Sequence, residues 1–278
     1  MAGSSSTVPA PGGFARLRTR LGIGSWRRGI HMLERNAMVY RHTWLILLSG
    51  FFEPVFFLVG MGFGLGGLVG SVSGPGGVAV PYAVFVAPAL LASSAMNGAI
   101  TEGSWNFFWK FREDRFYETV LSTPLSPNDI ALGELGWALV RGGLYSMGFL
   151  VIMALMGLIT SPWAILAFPA ALVVGFGFGG AAMGAATFMR TWQDLDFVSM
   201  AIVPMLLLSG TFYPVDVYPD ALRILIQLTP LYQGVDMLRK LTTGAVDASI
   251  LVHVAYLLVL GLVGLSVVGR RVGRTLLS

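Results

Sequence analysis

Long runs of apolar residues, separated by short polar segments, set the pattern of this sequence. The runs follow neither the period of a half-buried strand nor that of an amphipathic helix, and about 20 apolar residues suffice for a helix to cross a bilayer. We therefore predict an all-α integral membrane protein with six transmembrane helices. The predicted spans are 44–69, 82–106, 131–158, 163–189, 197–213 and 250–268.

The segments outside these spans predict the remaining organisation. We expect a disordered N-terminus at 1–13, an amphipathic cytoplasmic interface helix at 14–43, a six-span transmembrane domain at 44–268 and a basic cytoplasmic tail at 269–278. Segment 214–246 is too polar and too rich in proline to span a bilayer. It predicts an external re-entrant helical hairpin.

The composition supports the membrane class and narrows the chemistry. Of the 278 residues, 55% are hydrophobic and 12% are charged, whereas a soluble domain contains about 25% charged residues. Cysteine is absent, which excludes disulfides and thiolate metal sites, and the three histidines lack metal-ligand spacing. We therefore expect neither a metal site nor catalytic residues in this chain.

The basic residues predict the orientation of the chain. Most of the 18 lysines and arginines precede residue 44, lie in 107–130 or 190–196, or follow residue 268. Six spans put all these segments on one side of the membrane. Because short loops rich in lysine and arginine remain in the cytoplasm, we predict that both termini are cytoplasmic.

A charged stretch, FREDRFYETVLSTPLSPNDI, separates the second and third predicted spans at 111–130. No residue before Pro124 breaks a helix, and the proline ends one because the residue before a proline is pushed out of the helical region. The stretch predicts a short amphipathic helix at 111–123. Its residues leave two interpretations open: the helix lies in the lipid headgroups, or it docks in a groove of a soluble partner.

The end of this stretch carries the signals that begin a helix. Ser126 is a favourable N-cap, Pro127 suits the first helical position, and Asp129 lies in the first turn, where a negative charge favours the helix dipole. The sequence therefore predicts a sharp turn that leads into the third span.

Two longer motifs show a family resemblance. The motif YETVLSTPLSPNDIALGELGW, at 117–137, resembles the first cytoplasmic loop of type-2 ABC transporter permeases, especially of the nodulation-factor, lipooligosaccharide and drug export branch. The motif LLLSGTFYPVDVYPDALRILIQLTPLYQGVDMLR, at 206–239, is similar to the fifth span and external hairpin of that family. With the six spans and the basic N-terminal segment, the resemblance covers nearly the whole chain.

The resemblance implies a permease subunit of an ATP-driven exporter in the bacterial inner membrane. Its substrate would be amphipathic or lipid-linked, such as a lipooligosaccharide, a glycolipid or a drug-like molecule. The helix at 111–123 would be a coupling helix that docks on a separate nucleotide-binding ATPase subunit, and a second permease copy or homologue would complete a dimer. The residues in contact with the ATPase subunit would be Arg112, Arg115, Tyr117, Glu118, Leu121, Thr123, Pro124 and Leu125.

The sequence contains no phosphate-binding loop of the type found in ATPases. The pattern G-x-x-x-x-G-K-[ST] needs a lysine after a glycine, and neither Lys110 nor Lys240 follows one. We therefore expect no cofactor in this chain, and we expect the partner subunit to bind ATP and Mg²⁺.

Ionisable residues inside the predicted spans are costly and are candidates for function. Glu53 lies near the middle of the first apolar run, Glu102 near the cytoplasmic end of the second span, and Glu134 and Arg141 on one face of the third. They either pair with one another or reach the membrane surface, or they line the transport pathway or a gate. Glu53 is the deepest of these pathway candidates.

Glycine-rich runs predict close helix packing. GMGFGLGGLVG places Gly60 and Gly64 four residues apart, and GFGFGGAAMG does the same with Gly180 and Gly184. Packing within the chain is one interpretation, and a dimer contact or a sliding gate is the other.

Two further classes of function stay open at this stage. An integral membrane enzyme that acts on lipids needs polar groups clustered at one depth, and the three acidic candidates lie at mixed depths. An ATP-independent carrier usually shows internal repeats with broken helices, and the two halves of the chain show no convincing repeat. An ATP-binding subunit that is encoded or purified together with the chain would distinguish the exporter from the enzyme and from the carrier.

Overall fold

The computed structural model describes residues 34–38, 52, 54–114, 116–123 and 125–276, which are mostly helical. One short antiparallel hairpin, absent from the sequence prediction, interrupts the helices. The elements in chain order are α1 (Pro54–Val69), β1 (Ser71–Ser73), β2 (Ala79–Pro81), α2 (Tyr82–Glu113), α3 (Phe116–Leu121), α4 (Pro127–Leu155), α5 (Pro162–Ala186), α6 (Asp196–Leu208), α7 (Asp220–Gln227), α8 (Pro230–Thr243) and α9 (Ser249–Leu276).

Four helices of the described part are long and apolar enough to cross a membrane, namely α2, α4, α5 and α9. They correspond to the second, third, fourth and sixth predicted spans. The first predicted span is only partly described. Among residues 44–53 the structure describes Phe52 alone, and residues 54–69 form α1. The all-α membrane class is confirmed, and the count of six stays a prediction.

The fifth predicted span is shorter in the structure than the prediction of 197–213. Its helix α6 has 13 residues and ends at Leu208, because Ser209 and Gly210 form a turn in which Gly210 has a φ of 70°. A left-handed conformation of this kind suits glycine and ends a helix.

α2 runs further than the predicted span 82–106, to Glu113. It contains π-helical turns at Glu102–Asn106 and Trp109–Glu113, and Asp114 closes it through a hydrogen bond to the Trp109 carbonyl. The predicted helix 111–123 is therefore divided. Its first residues finish α2, and only Phe116–Leu121 forms the separate helix α3.

The predicted start of α4 is confirmed. The Ser126 side chain accepts a hydrogen bond from the Asp129 backbone N–H, and the Asp129 carboxylate accepts one from the Ser126 N–H at 2.8 Å. Pro127 takes the first helical position. This reciprocal capping fixes the turn between α3 and α4.

Segment 214–246 forms the two short helices α7 and α8. Thr229 caps α8, Pro230 starts it, and Gly244, with a φ of 88°, ends it. Leu231, Val235 and Leu238 of α8 are fully buried, and α8 packs against α2 and α5. The helical pair is thus present, and its external, re-entrant position stays a prediction.

The bundle has two distinct ends. α2 begins beside the two-stranded sheet and ends next to α3, and we call these the sheet end and the α3 end. The basic residues after 268 continue α9 as helix to Leu276, so the predicted tail 269–278 is largely helical.

Glycines allow α5 and α9 to approach closely. A methyl group added to Gly180 would collide with the backbone of Gly261, and one added to Gly184 would press on Gly264. The predicted close packing of small residues is therefore present on α5. Gly60 and Gly64 of α1 face open space with respect to the described residues.

A large side chain at Gly180 should weaken the helix bundle. We expect Gly180→Ile to lower the free energy of unfolding by about 3 kcal/mol, since overpacking forces the α5 and α9 backbones apart. The melting temperature in mild detergent measures the effect. The matched control, Gly64→Ile, should change it little, and equal losses in both variants would contradict the packing described here.

Candidate functional site

α3 turns its apolar side inward and its polar side outward. Tyr117 is fully buried and Val120 nearly so, whereas Glu118 and Thr119 are exposed. A helix that lies in the lipid headgroups turns its apolar side to the acyl chains instead. The accessible surface of α3 is therefore polar.

The residues predicted to contact an ATPase subunit differ in exposure. The described ones are Glu118 and Thr123 (exposed), Arg112, Leu121 and Leu125 (half-buried), and Tyr117 (buried). Tyr117 is fully buried in this structure, and its contact with an ATPase subunit stays a prediction. Arg115 and Pro124 lie outside the described residues.

Tyr117 anchors α3 to the end of α2. Its ring centroid lies 5.4 Å from that of Phe107, 6.4 Å from that of Phe111 and 5.6 Å from that of Phe116. Aromatic clusters of this kind add specific geometry to a large apolar burial. The ring contacts of Tyr117 therefore pack α3 against the last turns of α2.

A buried ion pair lies beside this aromatic cluster and joins α2 to α4. The Lys110 ammonium lies 2.6 Å from the Glu134 carboxylate, and Asn36 lies 3.4 Å from both groups, donating to Glu134 and accepting from Lys110. Burial raises the pKa of Tyr117 well above its usual value, and the nearby Glu134 raises it further. The Tyr117 hydroxyl therefore stays protonated.

The segment 34–38 adds a second clamp on α3. The Arg35 guanidinium lies 3.9 Å from the centroid of the Phe116 ring, a favourable cation–π distance. Arg35 and Asn36 were not among the candidates from the sequence, and neither was Lys110. The sequence offered one signal for Lys110, namely its position at the end of the second apolar run.

A second buried ion pair joins α2 and α4 deeper in the bundle. The Arg141 Nη1 lies 2.5 Å from the Glu102 Oε1, and the Arg141 Nε donates to the Tyr145 hydroxyl at 2.8 Å. Glu102 starts the π-helical turn of α2, a distortion that is frequent at functional sites. Both charges are almost fully buried.

A polar cleft opens beside this ion pair. It has a volume of about 330 Å³ and lies between α2, α4 and α6. Its polar lining consists of Asn97, Thr101, Trp105, Arg141, Tyr145 and Ser199. Polar cavities among membrane-spanning helices are the usual places for substrates and ions.

The structure pairs the predicted intramembrane charges across helices. Glu102 meets Arg141, and Glu134 meets Lys110, so that two ion pairs connect the antiparallel helices α2 and α4. Glu102 and Arg141 thus pair with one another, whereas Glu134 pairs with Lys110, which was not a candidate, and the role of these residues in a pathway stays a prediction. Glu53 lies outside the described residues.

The profile of a known family matches this chain. The family is described as ABC-2 type transporter, and the match covers residues 29–242. The chain belongs to this family. It is a multi-pass permease of the bacterial cell membrane, a transport component rather than an ATPase.

Curated relatives of this ABC-2 permease share its length and about a third of its residues. A Nodulation protein J from Sinorhizobium fredii is 31% identical over 236 residues, covering 84% of this chain and 86% of that protein. Nodulation protein J from Rhizobium leguminosarum bv. viciae is 30% identical over 257 residues, covering 91% and 95%. The protein of the same name from Rhizobium meliloti is 31% identical over 233 residues, covering 84% and 83%.

Removal of one partner of the deep ion pair should destabilise the permease strongly. We expect Glu102→Leu or Arg141→Leu alone to cost about 3–5 kcal/mol, because each removes the counter-charge that lies 2.5 Å from a buried charged group. The double variant should recover most of this loss. Melting temperatures of the single and double variants in detergent measure the coupling, and additive losses would contradict a direct pair.

Proposed function

We propose that this chain is the membrane-spanning subunit of an ATP-driven exporter and that α3 is the surface on which a separate ATPase subunit docks. The polar outer face of α3 carries the proposal. Its buried residues Tyr117 and Val120 are already packed against the bundle. Glu118 and Thr119, with Thr123 just after α3, remain for a partner. A lipid-facing helix would need the opposite arrangement.

The contacts of α3 support a mechanism in which it moves together with α2 and α4. Tyr117 fixes α3 to α2, and the Lys110–Glu134 pair fixes the same end of α2 to α4. ATP-driven closure of two ATPase subunits would push α3 as a rigid body. The push would travel along α2 and α4 to the Glu102–Arg141 pair.

We propose that the polar cleft beside Arg141 belongs to the transport pathway. α6 forms its third wall, and in the described part of the chain no residue of α6 is fully buried. A shift of α2 and α4 against α6 would therefore open or close the cleft without breaking a packed core. Glu102 and Arg141 would shape it, and the polar part of an amphipathic substrate would enter it.

The remaining features follow from the family resemblance. They are a second permease copy or homologue and a lipooligosaccharide, glycolipid or drug-like substrate. The cytoplasmic termini follow instead from the distribution of the basic residues. The exposed apolar side chains of α6, such as Phe197, Met200 and Val203, suit contact with that second copy or with lipid.

Reversal of the charge on the outer face of α3 should release the ATPase subunit. We expect the double variant Glu118→Arg and Thr119→Arg to lower the amount of co-purified ATPase subunit at least tenfold, since both side chains point away from the bundle. Tagged protein purified in mild detergent from the native host gives the measurement. Asp220→Arg, an exposed change at the start of α7, is the matched control, and retention of the ATPase by the α3 variant would exclude docking there.

Loss of the aromatic anchor should separate docking from transport. Tyr117→Ala removes ring contacts and costs about 3 kcal/mol, as large-to-small changes of buried aromatics do. We expect the ATPase subunit to remain bound while substrate-stimulated ATP hydrolysis falls several-fold. Tyr117→Phe keeps the rings and should behave as wild type, and normal stimulation in Tyr117→Ala would contradict the rigid link.

A further inference from the structure

A second polar cavity lies at the sheet end, far from α3. It has a volume of about 290 Å³ and is enclosed by the turn between β1 and β2, the segment before α7, and α8. Its polar lining includes Ser73, Gln227, Tyr232, Asp236, Arg239 and Lys240. None of these residues was a candidate from the sequence.

Arg239 is a largely buried cation that lines this cavity. Its side chain is 5% exposed, its Nε donates to the Phe85 carbonyl at 3.1 Å, and its Nη2 donates to the Gly210 carbonyl at 2.8 Å. Among the described residues, no acceptor bonds to its Nη1 and no carboxylate forms an ion pair with it. Because Arg239 lines the cavity, these remaining guanidinium donors are available to a ligand that carries hydrogen-bond acceptors.

The other charges of the cavity already have partners. Asp236 lies 3.0 Å from Lys240 and 3.0 Å from His253, and Asp216, which also lines the cavity, lies 3.8 Å from Arg223. Lys240 further contacts Asp247 at 3.3 Å. The four charged side chains that line the cavity, Asp216, Asp236, Arg239 and Lys240, therefore carry two charges of each sign.

This balance favours a neutral ligand that both donates and accepts hydrogen bonds. A phosphate or carboxylate group offers only acceptors and would face Asp236 and Asp216. An apolar chain would leave Arg239 without its acceptor. Hydroxyl groups meet both requirements, because each one donates and accepts.

Two features keep the cavity open and neutral. Burial raises the pKa of Tyr232 to about 12, and Asp236 raises it as well, so its phenol keeps its proton. Gly76 and Gly77, with φ values of 72° and 76°, form the turn without side chains at its rim.

We propose that this cavity binds an uncharged, polyhydroxylated headgroup of about the size of a sugar ring. Its role would be to hold the headgroup of the exported amphiphile on the side of the membrane opposite α3. That role rests on the proposed function, whereas the binding itself requires neither the ATPase subunit nor transport.

Binding can be measured on the full chain alone, in phosphatidylcholine nanodiscs. The probes are octyl glucoside, octyl phosphate and octyl tetraethylene glycol, used at concentrations that leave the discs intact, so that only the headgroup differs. Titration calorimetry gives the Kd of each. We expect octyl glucoside to bind at least tenfold more tightly than the other two.

Two serines on the same face of β1 provide a matched pair of variants. Ser73→Trp would fill the cavity and should weaken octyl glucoside binding at least tenfold, whereas Ser71→Trp, outside the cavity, should leave the Kd within twofold. Arg239→Gln should also weaken binding, and melting temperatures establish that each variant is folded. Equal Kd values in wild type and a folded Ser73→Trp variant, or tighter binding of octyl phosphate, would overturn the proposal.

Discussion

The buried ion pair between Glu102 and Arg141 is the interaction on which the arrangement of the bundle depends. Two charges among apolar helices are tolerable only when they meet. Their meeting sets the register of α2 against α4, and the Lys110–Glu134 pair sets it again near the α3 end. With the register fixed at two levels, α2 and α4 form one unit.

That unit has consequences at both of its ends. At one end the aromatic cluster around Tyr117 attaches α3, so a force on α3 is a force on α2. At the other end α2 carries Phe85, whose carbonyl and ring hold the Arg239 guanidinium, 3.7 Å above the ring. The proposed docking surface and the sheet-end cavity are thus connected through one long helix. In contrast, α6 contacts the unit beside a polar cleft, where movement costs little packing.

Much of this could be predicted from the sequence, for identifiable reasons. The apolar runs determine four spans because length and hydropathy are local properties, and Ser126, Pro127 and Asp129 signal a helix start through equally local chemistry. The partners of Glu134 and Arg141 could not be predicted, because they depend on the register between two helices. The burial of Tyr117 depends likewise on the packing of α3 against Phe107 and Phe111 after α2 ends at Asp114.

The residues that line the sheet-end cavity were even less predictable from the sequence. Ser73, Gln227 and Arg239 come from distant parts of the chain, and no spacing connects them. Arg239 was visible only as a basic residue in a polar segment. Its unusual state, buried and without a counter-ion among the described residues, exists only after α8 packs against α2.

In the proposed mechanism, α3 moves rigidly with α4 and changes its distance to α6. Because the chain has no cysteine, pairs of introduced cysteines can carry spin labels at chosen exposed positions. Distances from Ser122, an exposed residue directly after α3 and outside the proposed contact residues, to Leu155 of α4 and to Met200 of α6 would be compared by pulsed electron resonance. The ATPase subunit would be present, and the distances would be measured before and after addition of a non-hydrolysable ATP analogue. We expect an unchanged distance from Ser122 to Leu155 and a shift of several ångströms in the distance from Ser122 to Met200. A changed distance from Ser122 to Leu155, or no change in either distance, would contradict the mechanism.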